Sequence, residues 1–280
     1  MFYWILSTIC ASFATIFWKK ALAYKCPNRL FALLWFSFWP VIISVIFLLW
    51  KYDFWVVNIK LSLIIIFLIL LQLLVIQMDQ HIYKNEKISV IIPYQNLNKI
   101  LSIILAFFIF TNISKLSFFI TLLAWIIIII FSIDFKNFVL SRFIKIIFIW
   151  QWIISIQLLL VWYILNYLNP LSYYVLSVGI IVIIWSIIVF FTKEYKNLFD
   201  MTKDFYINRW LGSTLWEISY VINTFIIAKL WVIMSILFSY MYIWVVLILS
   251  YLFFKDKPSR KNIILTIIIS ILVWLWYFYK

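Results

Sequence analysis

Apolar residues in this chain come in long uninterrupted runs, not in the strict alternation of a half-buried strand or the narrow stripe of a helix lying on a soluble core. A helix needs about 20 mostly apolar residues to cross the roughly 30 Å of hydrocarbon in a bilayer. Ten runs near that length are present, at 2–18, 30–50, 61–83, 88–110, 116–133, 146–165, 170–192, 206–227, 230–254 and 262–279. Their abundant Ile and Phe would favour strands in water. In lipid every backbone N–H must be satisfied inside its own segment or in a closed barrel, and these runs lack the alternation of barrel strands. The pattern therefore predicts an all-α integral membrane protein with ten transmembrane helices.

Composition agrees. Of 280 residues 68% are apolar and 11% charged, against about 45–50% and 25% in soluble domains, and the mean hydropathy is +1.14. The joints between runs are short. The two longest hydrophilic stretches, 134–145 and 193–204, hold too few apolar residues to form a core of their own and read as connectors. The first run lacks a positive n-region and a small-residue cleavage site, so it reads as a retained helix.

Candidate chemistry is narrowed by what is scarce. Two cysteines, Cys10 and Cys26, are too few for a disulfide framework and lack metal spacing, and a single histidine, His81, removes clustered-imidazole chemistry. No metal or cofactor is expected, and no phosphate-binding GxxxxGK[ST] motif occurs.

Ten runs with a long polar joint near the midpoint suggest a duplication, 1–140 and 141–280. Sliding the chain by 142 residues places Lys87 on Lys229, Val90 on Val232, Ile91 on Ile233 and Ser117 on Ser259. Halves of five helices must lie in opposite orientations across the bilayer, which is the inverted-repeat plan of many secondary transporters. Coincidence in an apolar chain is the competing explanation.

Two segments carry a resemblance. Glu86-Lys-Ile-Ser-Val-Ile-Ile-Pro93-Tyr-Gln-Asn-Leu, leading into an apolar run, resembles the fourth-helix pattern of the drug/metabolite transporter superfamily, in its EamA-like ten-helix permeases. Ala228 to Ile233, continuing through Tyr251 to Asp256-Lys-Pro258-Ser, resembles the superfamily's ninth helix and the acid-x-Pro-Ser element that closes it. The chain departs from that family in its glycines, Gly179 and Gly212 alone, and in the closing acid, which the first half lacks at Ile113-Ser114. The resemblance implies a permease whose third, fourth, eighth and ninth helices line a central cavity. In the first run Ser7, Ala11 and Thr15 recur every four positions and leave room for a neighbouring helix.

Polar side chains inside the runs are the candidate site, because a charge at the bilayer centre costs about 2.5–3.5 kcal/mol on insertion scales unless paired or hydrated. Gln95, Asn98, Lys99 and Ser102 recur at helical spacing in the fourth run, one turn after Pro93. Lys99 lies near mid-run, and Glu217 in the eighth, with Ser213 and Tyr220 on its face and Trp210 a turn back, is its natural partner. Gln72 and Asp79 share a face in the third run, with Gln77 and Tyr83 nearby. Gln151 in the sixth and Ser235, Ser239 and Tyr242 in the ninth complete the map, and Trp216 is a further candidate wall.

Each has a plainer reading. Lys99 and Glu217 could be a buried pair that sets helix register, the amides could be interhelical hydrogen bonds, and Asp79 and His81 lie close enough to a run's end for hydration at the interface. The cavity candidates are thus Gln72, Asp79, Gln95, Asn98, Lys99, Trp210, Glu217, Tyr220 and Ser239.

A net charge of +14 implies no nucleic-acid partner here, because the charges flank helices. Joints after odd-numbered runs hold seventeen of the Lys and Arg residues and the remaining joints and C-terminus five. The positive-inside rule then places both termini outside the cytoplasm, whereas the resembled family usually has them inside. The expected function is a non-enzymatic secondary transporter in the plasma membrane, moving a small metabolite or amino-acid-like solute by alternating access. Its partners would be the solute, the lipid bilayer and protons taken up at Glu217. Two other readings stay open: a membrane enzyme acting on a lipid or isoprenoid phosphate, using the charges of 193–209, and a non-transporting scaffold with a dry core.

Overall fold

The computed structural model describes residues 2–37, 57–96, 101–102, 104–105, 107, 119, 122–123, 126–127, 130 and 142–278, with backbone alone for 2, 4, 96, 142–144, 229–241, 269, 273–274 and 276–278. The described residues form helices and no strand. In order these are α1 (Phe2–Leu22), α2 (Asn28–Phe36), α3 (Ile59–Asn85), the short α4 (Ile88–Ile91) continuing as a 3₁₀ segment (Ile92–Asn96), α5 (Arg142–Leu165), α6 (Pro170–Phe191), a second 3₁₀ segment (Glu194–Asp200), α7 (Lys203–Phe254) and α8 (Arg260–Phe278).

Five described segments are long and apolar enough to cross a membrane: Ile5–Leu22, Ile59–Asn85, Lys145–Leu165, Pro170–Phe191 and Lys203–Ala228. The protein is therefore an all-helical membrane protein. The runs 30–50 and 116–133 lie largely outside the described residues, as do 97–100 and 108–110 of run 88–110. So does Ser117 of the repeat offset, while Lys229, Val232 and Ile233 are described by backbone alone.

Helix starts follow from local side chains. Asn58 accepts from the Leu61 N–H at 2.9 Å and opens α3. Asn169 accepts from Leu171 and Ser172 at 3.1 and 2.7 Å, with Pro170 in the first turn of α6 where its missing N–H costs nothing. Thr202 accepts from Phe205 at 3.3 Å at the start of α7. With so few glycines, Lys193 and Lys255 follow α6 and α7 in the left-handed conformation, at φ 57° and 52°. The backbone changes from α to 3₁₀ at Ile92, next to Pro93, which has no N–H to continue the α ladder.

Runs 206–227 and 230–254, read from sequence as two helices, form the single 52-residue element α7. It is not straight. A Cβ at Gly212 would lie 2.9 Å from Phe17 Cβ, and the Phe253 ring lies 6.4 Å from that of Phe13, one turn away on α1. A straight helix would hold Gly212 and Phe253 about 60 Å apart. The element therefore doubles back between Ala228 and Tyr242, and both legs pack on α1. Ser219 meets Ser7 and Gly212 meets Phe17 along the first leg; Tyr242 meets Thr15 and Phe253 sits under Lys20 along the second. The small residues of α1 make room for this double contact.

Aromatic side chains do the close packing that small residues do elsewhere. Trp18 meets Phe31 and Trp35 edge-on at 4.9 and 4.5 Å, and Phe31 stacks on Trp35 at 5.8 Å. Phe205 closes the group against Phe31 at 6.2 Å. Pairs of this kind add about 0.5–1.5 kcal/mol each beyond their buried area.

The joints after the first, third and seventh runs come together at one end of the bundle. Arg29 pairs with Glu194 at 3.6 Å, Glu194 also accepts from the Leu30 N–H at 3.3 Å, Lys84 reaches Asn28 at 3.5 Å, and Lys19 donates to the Tyr83 and Glu86 carbonyls. Arg209, grouped by sequence with the seventh joint, instead lies within α7 and donates to the Leu34 carbonyl. At the opposite end Lys60 stands within electrostatic reach of Tyr167.

Candidate functional site

A cavity of about 400 Å³ lies among α1, α3, α5, the first leg of α7 and Tyr242 of its second leg. That volume suits a small organic molecule. Each surrounding helix contributes polar groups: Ser7 and Thr15 from α1, Gln72, Asp79 and Tyr83 from α3, Gln151 and Gln157 from α5, and Ser219, Tyr220 and Asn223 from α7. Between them the wall is aromatic, with Trp18, Trp35, Trp150, Trp216, Tyr173 and Tyr242.

Most of these polar groups are already paired with one another. Gln157 donates to Gln72 Oε1 at 2.9 Å, joining α5 to α3. Gln95 donates to the Tyr83 hydroxyl at 2.5 Å. Thr15 and Tyr242 share a hydrogen bond of 2.7 Å, Ser7 and Ser219 one of 3.0 Å, and Tyr220 donates to Tyr173 at 3.3 Å. Unpaired polar groups in hydrocarbon would cost several kcal/mol each, so this network fixes the shape of the cavity before any solute enters.

Asp79 is the exception. It lines the cavity, half-buried, one turn before Tyr83 and within electrostatic reach of Tyr83 and Tyr242. Among the described residues it makes no hydrogen bond or ion pair, and no lysine or arginine is among those lining the cavity. His81, two residues on, is exposed and bonded to Asn85. Position near a helix end suggested hydration for both, yet helical phase turns Asp79 into the bundle and His81 away from it.

Of the nine sequence candidates, Gln72, Asp79, Gln95 and Tyr220 lie together on the cavity wall, as does Trp216. Trp210 is 45% exposed on the outer side of α7. Glu217 is buried but not part of the lining; its Oε2 accepts from Tyr174 at 2.6 Å, and its Oε1 has no hydrogen bond among the described residues. The Tyr174 ring stands 5.7 Å from that of Tyr220, which does line the cavity. Asn98 and Lys99 lie outside the described residues, and Ser235 and Ser239 are described by backbone alone.

Sequence reasoning missed Gln157, Asn223, Ser219 and Tyr173 as wall residues, and read Ser7 and Thr15 only as packing positions. The signal for Gln157 was present: it lies six residues after Gln151 in an otherwise apolar run. Glu194, one of three acids in the 193–209 charge cluster that an enzyme reading would use, is engaged by Arg29 and the start of α2.

The two segments that carry the family resemblance touch. The Ser89 N–H and hydroxyl both donate to Asp256, at 2.9 and 2.7 Å, and Asn262 donates to the Ser89 carbonyl at 2.9 Å. No protein-family model and no curated protein matches this chain.

Proposed function

We propose that the protein is a secondary transporter of the plasma membrane, a permease that carries a small metabolite or amino-acid-like solute by alternating access. The observation that carries this reading is the 400 Å³ cavity, ringed by paired polar groups between helices long enough to cross the bilayer. A scaffold would favour a dry, closed core. The resemblance to ten-helix drug/metabolite permeases supports the same reading, with five-helix repeats of opposite orientation rocking about the cavity.

Proton coupling through Glu217 belongs to the proposal. The side chain is buried within a membrane-crossing segment and reaches the cavity wall through Tyr174 and Tyr220. An acid there is expensive to keep unless it functions.

The test is solute flux by the purified protein in proteoliposomes, using a panel of mass-detected metabolites under imposed pH gradients. Saturable accumulation or exchange, weakened by Q72A together with Q157A, is expected. A flat pH profile in E217Q, against a sloped one in the unaltered protein, is the expected mark of coupling. No flux for any solute under any gradient would overturn the permease reading.

A further inference from the structure

Asp79 is a carboxylate facing a cavity with no cation among the described residues of its wall. Among the described residues, three basic side chains of α1 and α7 are committed elsewhere. Lys19 donates to the Tyr83 and Glu86 carbonyls, Lys20 lies 4.4 Å from the centre of the Phe253 ring, and Arg209 is bonded to Leu34. The neighbouring Tyr83, Tyr242 and Gln72 side chains, by contrast, each have a protein partner, whereas the indole N–H groups of Trp18, Trp35 and Trp150 in the same wall have none among the described residues. An acid left without one inside hydrocarbon is costly, and a solute that brings the opposite charge removes that cost.

The rest of the wall narrows what that solute is. Tyr83 and Tyr242 stand within electrostatic reach of Asp79, and Trp18, Trp35, Trp150 and Trp216 share the wall with aliphatic side chains such as Val75 and Leu158. Aromatic faces attract ammonium groups and favour them over small inorganic cations, which bind to rings of oxygen ligands instead. Gln72 lies seven residues before Asp79 on α3, about 10 Å along the axis, where its amide is paired with Gln157.

We propose that this cavity binds an organic ammonium ion, its charge on Asp79 and its apolar, preferentially aromatic body against the tyrosine and tryptophan faces. The inference names the solute class of the transport cavity and to that extent rests on the permease reading.

Binding of tritiated tryptamine to the purified full chain in detergent tests it, with tryptophol and indole-3-propionate as neutral and anionic competitors of the same shape. Saturable binding is expected, displaced by unlabelled tryptamine and not by the other two. D79N should weaken it about 30-fold or more, the loss expected when one member of a desolvated charge pair is removed, and D79E should restore most of it. The competition on the unaltered protein stands even if D79N fails to fold. Absence of saturable binding, equal displacement by all three compounds, or wild-type affinity in D79N would overturn the inference. Ammonium binding without flux in proteoliposomes would keep the site and remove the permease reading; flux of neutral or anionic solutes untouched by D79N would do the reverse.

Discussion

Asp256, which follows the second leg of α7, holds Ser89 in the first turn of α4 through two hydrogen bonds, from the Ser89 N–H at 2.9 Å and the Ser89 hydroxyl at 2.7 Å. The acid caps a helix from another part of the chain, 167 residues away, and both side chains are buried, at 8% and 2% exposure. Asn262 takes the Ser89 carbonyl as well. One serine thereby ties the fourth run to the joint between the ninth and tenth.

Removing that acid should leave two buried donors without an acceptor. D256A is expected to lower stability by about 1–3 kcal/mol, read as an earlier transition in denaturant unfolding of the detergent-solubilised protein. S89A removes one donor and should cost less. The double variant should cost less than the sum of the two, because the hydroxyl–carboxylate bond is counted in both. Additive losses would mean that the two residues do not share an interaction in solution.

Gly212 permits a crossing that no other residue would. A Cβ there would clash with Trp35 Cη2 and lie 2.9 Å from Phe17 Cβ, so α1, α2 and α7 meet at one atom-wide gap. Gly179 in α6 has nothing within 4 Å of the same position. G212A is therefore expected to destabilise by about 1–3 kcal/mol through overpacking. G179A should be neutral or slightly stabilising, since alanine is the better helix former by about 1 kcal/mol. The pair is measured side by side by thermal unfolding, and equal effects would argue against the close crossing.

How much of this was legible beforehand can be argued from a few residues. Membrane helices announce themselves by length and hydropathy, and α1, α3, α5 and α6 lie close to runs 2–18, 61–83, 146–165 and 170–192. Reversal within α7 is a different matter: Lys229 between runs 206–227 and 230–254 was its one mark in the sequence, neither glycine nor proline interrupts 213–254, and contacts with α1 show the turn back. For the site, polarity within a run was a usable signal and picked out Gln72, Gln95 and Tyr220. It failed for Trp210 and Glu217 as wall residues, since helical phase relative to the neighbours decides which face meets the cavity, and a chain that is apolar all round carries little phase information. Ser7 and Thr15 show the converse, as packing residues that also line the cavity.

Cys26 supplies a chemical probe of the α1–α2 joint. It is buried at 7% exposure, and burial pushes its thiol up to about 12, with Lys84 opposing and Glu194 adding to the shift. Because the shift is upward, the thiol stays protonated at neutral pH, and near pH 8 roughly one molecule in ten thousand carries the reactive thiolate. Cys26 is expected to resist maleimide and iodoacetamide in the folded protein and to react at the ordinary rate after unfolding. Fast labelling of the native protein near neutral pH, mapped to Cys26 by mass spectrometry, would show that the joint is open to water.

The basic end of the bundle gives an orientation that can be tested on membranes. Arg29, Lys84, Lys193 and Lys255 belong to joints that the structure links through Glu194, Asn28 and Ser89. Lys60 and Tyr167 mark the other end. The positive-inside rule places the richer end in the cytoplasm and the N-terminal end of α1 outside. In a variant with Cys10 and Cys26 replaced by serine, a cysteine at the exposed Lys196 should react with a membrane-impermeant maleimide only in inverted vesicles. A cysteine at the exposed Asn166 should react only in right-side-out cells. The opposite labelling pattern would invert the orientation, and labelling of both positions from one side would show that α6, which joins them, does not cross the bilayer.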